Sequence, residues 1–206
     1  MSAFRQKFAI LTDIWHKGFD AEVKRTAISF FVIYFLLLIV CLLFPDLRLT
    51  LMEYITRMFG TFEFTTSSSR SMDALFFNNI QACTFTVFYG LLPFLHYSAF
   101  SLGMNASLLG VLAADHLASG SSLAVYLLGT VPHSIFELTA LVFACAMGLY
   151  ACGHMTRRFK HDNTAMSLWD CMSVMSWLVL LVLMPLLLIS SAVEVYVTPL
   201  LLSFVI

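Results

Sequence analysis

The stretch that decides the fold is TAISFFVIYFLLLIVCLLFP, residues 26–45, which contains no charged side chain. An α-helix rises about 1.5 Å per residue, so a run of this length covers the roughly 30 Å of hydrocarbon in a bilayer. The stretch therefore predicts a transmembrane helix, and it indicates that the chain is a helical membrane protein.

The composition of the whole chain agrees with a membrane protein. Of its 206 residues, 60% are hydrophobic and 11% are charged, and the mean hydropathy is +0.90. A soluble domain of this size could not bury so much apolar surface, so lipid must cover part of it. The formal net charge of −1 argues against a basic nucleic-acid-binding face. We therefore expect lipid contact and no nucleic-acid partner.

Neither the cysteines nor the amino-terminal residues indicate a secreted protein. The five cysteines lie in hydrophobic runs without a CxxC pair, a pattern that predicts buried, inert thiols rather than disulfides or zinc ligands. They are Cys41, Cys83, Cys145, Cys152 and Cys171. Residues 1–25 carry charges throughout and lack a short apolar core, so we expect no secretory signal peptide.

Residues 1–25 predict a cytoplasmic amphipathic segment ahead of the first span. Large apolar side chains recur there at helical spacing, with charged residues around the rest of the turn. This pattern is typical of a helix in the headgroup region, with its apolar stripe facing lipid or the bundle. The stripe consists of Phe4, Phe8, Leu11, Trp15 and Phe19.

The remainder, residues 26–206, predicts a single membrane domain with about five spans. We place them at about 26–45, 74–102, 103–118, 123–153 and 172–206. After the first span, one side of a second interfacial helix is apolar, and a flexible TTSSSRS loop follows it. That side carries Leu51, Met52, Ile55, Met58, Phe59 and Phe62. The predicted fold class is all-α: a polytopic integral membrane bundle with one or two interfacial amphipathic helices.

The distribution of positive charge predicts how the bundle is oriented. Of the eleven lysines and arginines, eight precede the first predicted span or lie between the fourth and fifth. Those eight fall on one side of the membrane if there are five spans. The positive-inside rule then places the amino terminus in the cytoplasm and the carboxyl terminus outside.

A few polar side chains inside the predicted spans are the candidate site. Ionisable groups in a bilayer cost about 2.5–3.5 kcal/mol each on insertion scales, so they normally face the protein interior and have partners. His133 and Glu137 are four residues apart and share one helical face. The predicted buried polar cluster consists of Asn78, Asn79, Asn105, His133, Glu137 and Glu194.

Three prolines inside the predicted spans, Pro132, Pro185 and Pro199, are expected to break helices. Proline has no backbone N–H, so carbonyls on the preceding turn lose their helical partners. The favoured interpretation is structural: His133 and Glu137 hydrogen-bond the break at Pro132 and the polar groups of neighbouring spans, and thereby fix helix packing.

Two functional alternatives remain open. If the same face lines a cavity, a glutamate beside a histidine could exchange protons, as in a proton-coupled transporter or a lipid-handling protein. An intramembrane metalloenzyme is disfavoured, because zinc proteases need two imidazoles in HExxH and HSIFE supplies one. We therefore expect no catalytic residue, no metal and no cofactor.

Several motifs occur in an order that resembles the stage II sporulation protein M family. The likeness covers roughly residues 74–206, and Asn78, Asn79, Pro132, His133, Glu137, Glu194, Thr198 and Pro199 match its motif positions. The motifs are FFNNIQ (76–81), Gly90, GMNASLLG (103–110), PHSIFEL (132–138), Gly148 and SSAVEVYVTP (190–199).

This resemblance implies a multi-pass protein in the plasma membrane of an endospore-forming bacterium, required for engulfment. The partners that it implies are two membrane-anchored peptidoglycan hydrolases, a lytic transglycosylase and an amidase/endopeptidase. A member of the family would recruit or anchor them at the septal membrane without being a hydrolase itself. Whether the chain forms a homo-oligomer is left open by the sequence.

Overall fold

The computed structural model describes residues 12–59 and 71–205, and all regular structure in these ranges is helical. This confirms the predicted all-α class. The helices are α1 (Asp20–Leu43), α2 (Pro45–Phe59), α3 (Met72–Phe88), α4 (Tyr97–Ala118), α5 (Leu123–Phe159) and α6 (Leu168–Leu202).

Four helical stretches in the described ranges are long and apolar enough to cross a membrane. They are Thr12–Leu43, Tyr97–Ala118, Leu123–Phe159 and Leu168–Leu202. Helix α3 has 17 residues, a length of about 26 Å, which lies at the lower end of the range for a transmembrane helix. With 37 and 35 residues, α5 and α6 are longer than one crossing requires. These lengths are consistent with a polytopic membrane bundle.

Contacts between the helices fix their directions. Helices α1 and α4 run parallel, because Phe30 of α1 packs with Leu102 of α4, and Cys41 packs with Val111 further along both helices. Helix α3 runs the opposite way and joins α4 through a turn at residues 89–96. We call the end of the bundle that contains this turn and the start of α1 the N-terminal pole, and the opposite end the C-terminal pole.

Helices α5 and α6 continue the alternation. The rings of His116 and Tyr126 are 5.1 Å apart, so α5 begins at the C-terminal pole, where α4 ends. At its other end, the Cys152 thiol donates to the Leu92 carbonyl at the N-terminal pole. Helix α6 then runs back, so that the start of α1 and the end of α6 lie at opposite poles.

The turn between α3 and α4 lies earlier than the sequence predicts. The expected boundary between spans at residues 102 and 103 falls inside α4, since α3 ends at Phe88 and α4 begins at Tyr97. Pro93 lies in the turn, and Phe94 adopts the left-handed region with a φ of 66°. Proline cannot continue a helix without losing a hydrogen bond. Because the residues around Pro93 are apolar, hydropathy does not distinguish this turn from a membrane span.

The α3–α4 hairpin packs closely on α5 through two glycines. A Cβ atom on Gly148 would overlap the Ser98 hydroxyl and lie 2.6 Å from the Thr86 carbonyl, and one on Gly90 would overlap the Gly148 backbone. The hairpin is also closed internally by hydroxyl groups, since Ser98 Oγ donates to the Thr86 carbonyl at 2.8 Å. Small residues let helix backbones approach in this way inside a membrane.

The segment before α1 packs against the bundle. A π-helical turn, Trp15–Phe19, precedes α1, and Gly18 has a φ of 108° that favours glycine. The Phe19 side chain is 3% exposed and lies 5.8 Å, centroid to centroid, from Tyr150 of α5. The carboxyl-terminal part of the predicted aromatic stripe therefore faces the bundle. Phe4, Phe8 and Leu11 lie outside the described residues.

Helix α2 lies at the C-terminal pole with one apolar side against α1 and α4. Ile55 is buried there, and Leu51 and Met52 pack beside it. Met58, expected on the same side, is 61% exposed, so the packed side is narrower than predicted. The Phe59 side chain and Phe62 lie outside what the structure describes.

Candidate functional site

The candidate site is a cluster of three ionisable side chains between α5 and α6. It consists of His133 and Glu137 on α5 and Glu194 on α6, each of them half-buried. One ligand atom from each residue lies within 4.8 Å of the other two. The structure therefore brings together three of the six residues in the predicted cluster, and we call them the His–Glu–Glu cluster.

Helix α5 presents two members of the cluster on one continuous face. The predicted break at Pro132 does not occur, since α5 runs unbroken from Leu123 to Phe159. Proline inside a helix removes one hydrogen bond, and in a bundle the neighbouring helices can compensate for that loss. Because the helix continues through Pro132, His133 and Glu137 lie one turn apart on the same side of α5.

Helix α6 also continues past its two prolines, by changing its helical type. Pro185 and Pro199 each follow a π-helical segment, Val179–Leu183 and Val193–Val197. The wider turn moves the carbonyl that would otherwise clash with the proline ring. The predicted breaks at these prolines are thus local widenings of one helix rather than interruptions.

Glu194 belongs to the second of these widened turns. The Thr198 hydroxyl donates to the Val193 carbonyl at 3.2 Å and so satisfies an acceptor in that turn. Isolated π-helical turns are frequent at functional sites, because the extra residue re-aims neighbouring side chains. The sequence motif SSAVEVYVTP therefore encodes a local geometry as well as a carboxylate.

A hydrogen bond between the two helices sets their register at the cluster. The Ser190 hydroxyl, which is fully buried, donates to the His133 carbonyl at 3.0 Å. Ser190 lies four residues before Glu194, so the two side chains emerge from nearly the same face of α6. The same bond that joins α6 to α5 at His133 therefore directs Glu194 toward the cluster.

Three buried polar atoms on the turns of α5 and α6 that carry or precede the cluster residues have no hydrogen-bond partner among the described residues. They are Thr130 Oγ1, His133 Nδ1 and Ser191 Oγ. Thr130 lies one helical turn before His133, and Ser191 follows Ser190. Buried polar atoms are nearly always paired, so a group of unpaired ones indicates a place for water or an ion.

The three asparagines of the predicted cluster form hydrogen bonds within their own helices. Asn78 Nδ2 donates to Asn79 Oδ1 at 3.4 Å on α3, where Asn78 is exposed. Asn105 Nδ2 donates to the Ser101 carbonyl at 2.8 Å on α4. These amides bond within α3 and α4, whereas the His–Glu–Glu cluster joins two helices.

Sequence reasoning missed an ion pair at the C-terminal pole. Arg48 of α2 lies 3.5 Å from Asp115 of α4, and both side chains are partly buried. Asp115 is not among the residues of the predicted polar cluster. Its position at the end of a span and the lone arginine early in α2 were the available signals.

A second missed group closes the loop between α5 and α6 at the N-terminal pole. The Met166 backbone N–H donates to His154 Nδ1 at 3.2 Å, and Arg157 contacts the same ring. In the loop itself, Thr164 donates to Asp162 at 2.6 Å, and this bond holds the pKa of the Asp162 carboxyl below its ordinary value. No motif marked these residues, because their partners are distant or are backbone groups.

The His–Glu–Glu cluster has two chemical capacities. Two carboxylates and an imidazole within this distance can share a proton, or they can supply one nitrogen and two oxygen ligands to a cation.

A comparison with known protein families gives a match that covers most of the chain. The family model described as Stage II sporulation protein M matches residues 25–199, which is most of the chain and includes all three cluster residues. No curated protein and no solved structure matches the chain.

Proposed function

This chain belongs to the stage II sporulation protein M family, and we propose that it is a non-enzymatic membrane scaffold that acts in sporulation. In this proposal it resides in the bacterial plasma membrane and anchors peptidoglycan hydrolases at the septal membrane during engulfment. The family match over residues 25–199 is the observation that carries the proposal. Helices of membrane-spanning length support it.

We further propose five crossings with the N-terminal pole in the cytoplasm. The alternating directions of α1, α3, α4, α5 and α6 support an odd number of passes. Positive side chains are concentrated at the N-terminal pole, and the positive-inside rule assigns such a pole to the cytoplasm. Those described there are Lys17, Lys24, Arg25, Arg157, Arg158 and Lys160, against Arg48 and Arg57 at the other pole.

The partner surface in this proposal is the outer side of α2. Peptidoglycan lies outside the membrane, so a hydrolase should contact the C-terminal pole. Helix α2 packs one side on the bundle and exposes apolar residues on the rest, with Tyr54 60% and Met58 61% exposed. Exposed aromatic and methionine side chains are typical of protein contact surfaces.

The test is recovery of the hydrolases with the tagged full-length chain from sporulating cells. Replacing Tyr54 and Met58 together by alanine should weaken recovery about thirtyfold, because each anchor contributes about 1 kcal/mol. The control replaces Leu188 and Leu200, which are exposed on α6, by alanine and should change nothing. Undiminished recovery with the α2 variant would contradict this partner surface.

A second test addresses the His–Glu–Glu cluster. The pair His133→Gln and Glu137→Gln should keep hydrolase recovery, because amides still hydrogen-bond between helices, whereas leucine at both positions should unfold the protein. Full hydrolase recovery by the glutamine pair together with complete loss of engulfment would count heavily against a purely structural role for the cluster.

One observation favours a second function, proton-coupled transport or lipid handling. The cluster places three ionisable side chains from two candidate spans against each other, as proton relays do. Purified protein in vesicles with an internal pH dye would then carry protons when a gradient is imposed, and Glu137→Gln would abolish the signal. Vesicles with the natural chain that leak no faster than empty ones would exclude proton coupling.

A further inference from the structure

The donor set of the His–Glu–Glu cluster matches that of a metal site. It supplies one imidazole nitrogen and two carboxylate oxygens, from two helices. Because no two of these atoms are more than 4.8 Å apart, one point lies within about 2.8 Å of all three. Zinc bonds to such ligands are about 2.0–2.2 Å long, so a shift of less than about 1 Å per side chain would complete coordination.

The two negative charges of the cluster also favour a bound cation. Two carboxylates held this close inside a low-dielectric bundle repel each other unless a proton or a cation lies between them. Glu137 forms no ion pair with a lysine or arginine in the part of the chain that the structure describes. A divalent ion with a neutral imidazole would bring the net charge of the cluster to zero.

The unpaired polar atoms around the cluster are an independent observation that points to the same ligand. Thr130 Oγ1 and Ser191 Oγ are buried, near the cluster along α5 and α6, and without partners among the described residues. Metal sites with three protein ligands keep open positions for water, and outer hydroxyl groups hydrogen-bond those waters and the ligands. These two hydroxyls are suited to that role.

We propose that His133, Glu137 and Glu194 bind one divalent transition-metal ion, which ties α5 to α6. A mixed set of imidazole and carboxylate ligands selects zinc, iron(II) or manganese over magnesium and calcium. The widened turn that contains Glu194 and the Ser190 bond to His133 hold the two helices in the required register. This inference does not depend on the scaffold proposal.

The experiment measures metal binding by the purified full-length chain in detergent. The metal-stripped protein is titrated with ZnCl₂ and MnCl₂ by calorimetry, and bound metal is counted by mass spectrometry after dialysis. The expected result is one equivalent per chain. Cobalt(II), used as a coloured probe, should give the visible absorption of an ion with protein ligands.

Variants assign the ion to the cluster. Glu194→Gln and His133→Gln should each weaken binding at least about tenfold, while His154→Gln, a histidine at the other end of α5, should leave it unchanged. Less than about 0.2 equivalents on the natural chain, or equal binding by all variants, would overturn the proposal.

Thermal denaturation keeps the test independent of how well the variants fold. A metal that binds the folded chain raises its melting temperature by an amount that grows with the logarithm of the free metal concentration above the dissociation constant. The natural chain should therefore melt at a higher temperature with zinc than with chelator, and an unchanged melting temperature would also overturn the proposal. Hydrolase recovery, measured with and without chelator, reports on the scaffold proposal separately.

Discussion

Single small residues determine how closely the helices of this bundle approach. Gly148 contacts α3 and α4 at a point where a methyl group has no room, and Ser190 reaches the backbone of α5 at His133. In a membrane the apolar environment does not drive helices together, so such contacts contribute much of the association. Substitutions at these positions should therefore have effects out of proportion to their size.

Gly148→Ala should destabilise the protein by about 1–3 kcal/mol, the usual cost of overpacking. The new methyl group would overlap the Ser98 hydroxyl and press on the Thr86 carbonyl, which is backbone and cannot move freely. Unfolding in mixed detergent micelles measures the change. Gly153→Ala is the matched control, because a Cβ there meets nothing within 4 Å, and it should not lower stability. Equal stability of the two variants would contradict the close approach.

Ser190→Ala should destabilise the α5–α6 contact by about 1 kcal/mol, the net value of a hydrogen bond. The substitution removes the donor to the His133 carbonyl and leaves the rest of the buried site filled. Ser176→Ala is the control, since that exposed serine donates to the Met172 carbonyl within its own helix. The same unfolding assay applies, and a loss no larger than the control would show that Ser190 does not join the helices.

At the scale of elements, the sequence indicates helices far better than it indicates their ends. Hydropathy identifies residues 26–45 because the partition of a helical segment into lipid depends on its apolar composition. The α3–α4 turn escapes it, because Pro93 and Phe94 form a turn in a stretch that is apolar throughout. The meeting of His133 with Glu137 follows from helical spacing, but the approach of Glu194 depends on long-range packing and on a widened turn.

Helix α2 should detach more readily when its ion pair with α4 is removed. Arg48→Met leaves Asp115 without that partner and should speed amide hydrogen exchange in α2 by roughly fivefold, since such pairs contribute about 1 kcal/mol at most. Arg57→Met removes an exposed pair with Glu53 inside α2 itself and is the control. Exchange that rises equally in both variants would show that Arg48 does not hold α2 on the bundle.

At the scale of the whole molecule, the alternating helix directions predict which loops lie on the same side of the membrane. An odd number of passes places the loop between α5 and α6 on the opposite side from α2. The charge bias is compatible with this arrangement, since the positive residues before α1 and between α5 and α6 then share one side.

Cysteine labelling in whole cells tests this orientation. Arg57→Cys should react with a membrane-impermeant maleimide in intact spheroplasts, whereas Lys160→Cys should react only after permeabilisation. The background is low, because all five natural cysteines are buried and free. Labelling of Lys160→Cys alone in sealed spheroplasts would show that the orientation is the reverse of the proposed one. Labelling of both variants would exclude an odd number of passes.

The aromatic contact at the amino-terminal corner has a consequence for biosynthesis. Phe19 leaves the ribosome well before its partner Tyr150, which is made about 130 residues later. Contacts between residues so far apart in sequence form late. The segment that contains Phe19 therefore stays undocked at the bilayer surface until the helix that carries Tyr150 has been inserted. In a nascent chain arrested before that helix, this segment should still be cleaved by a protease.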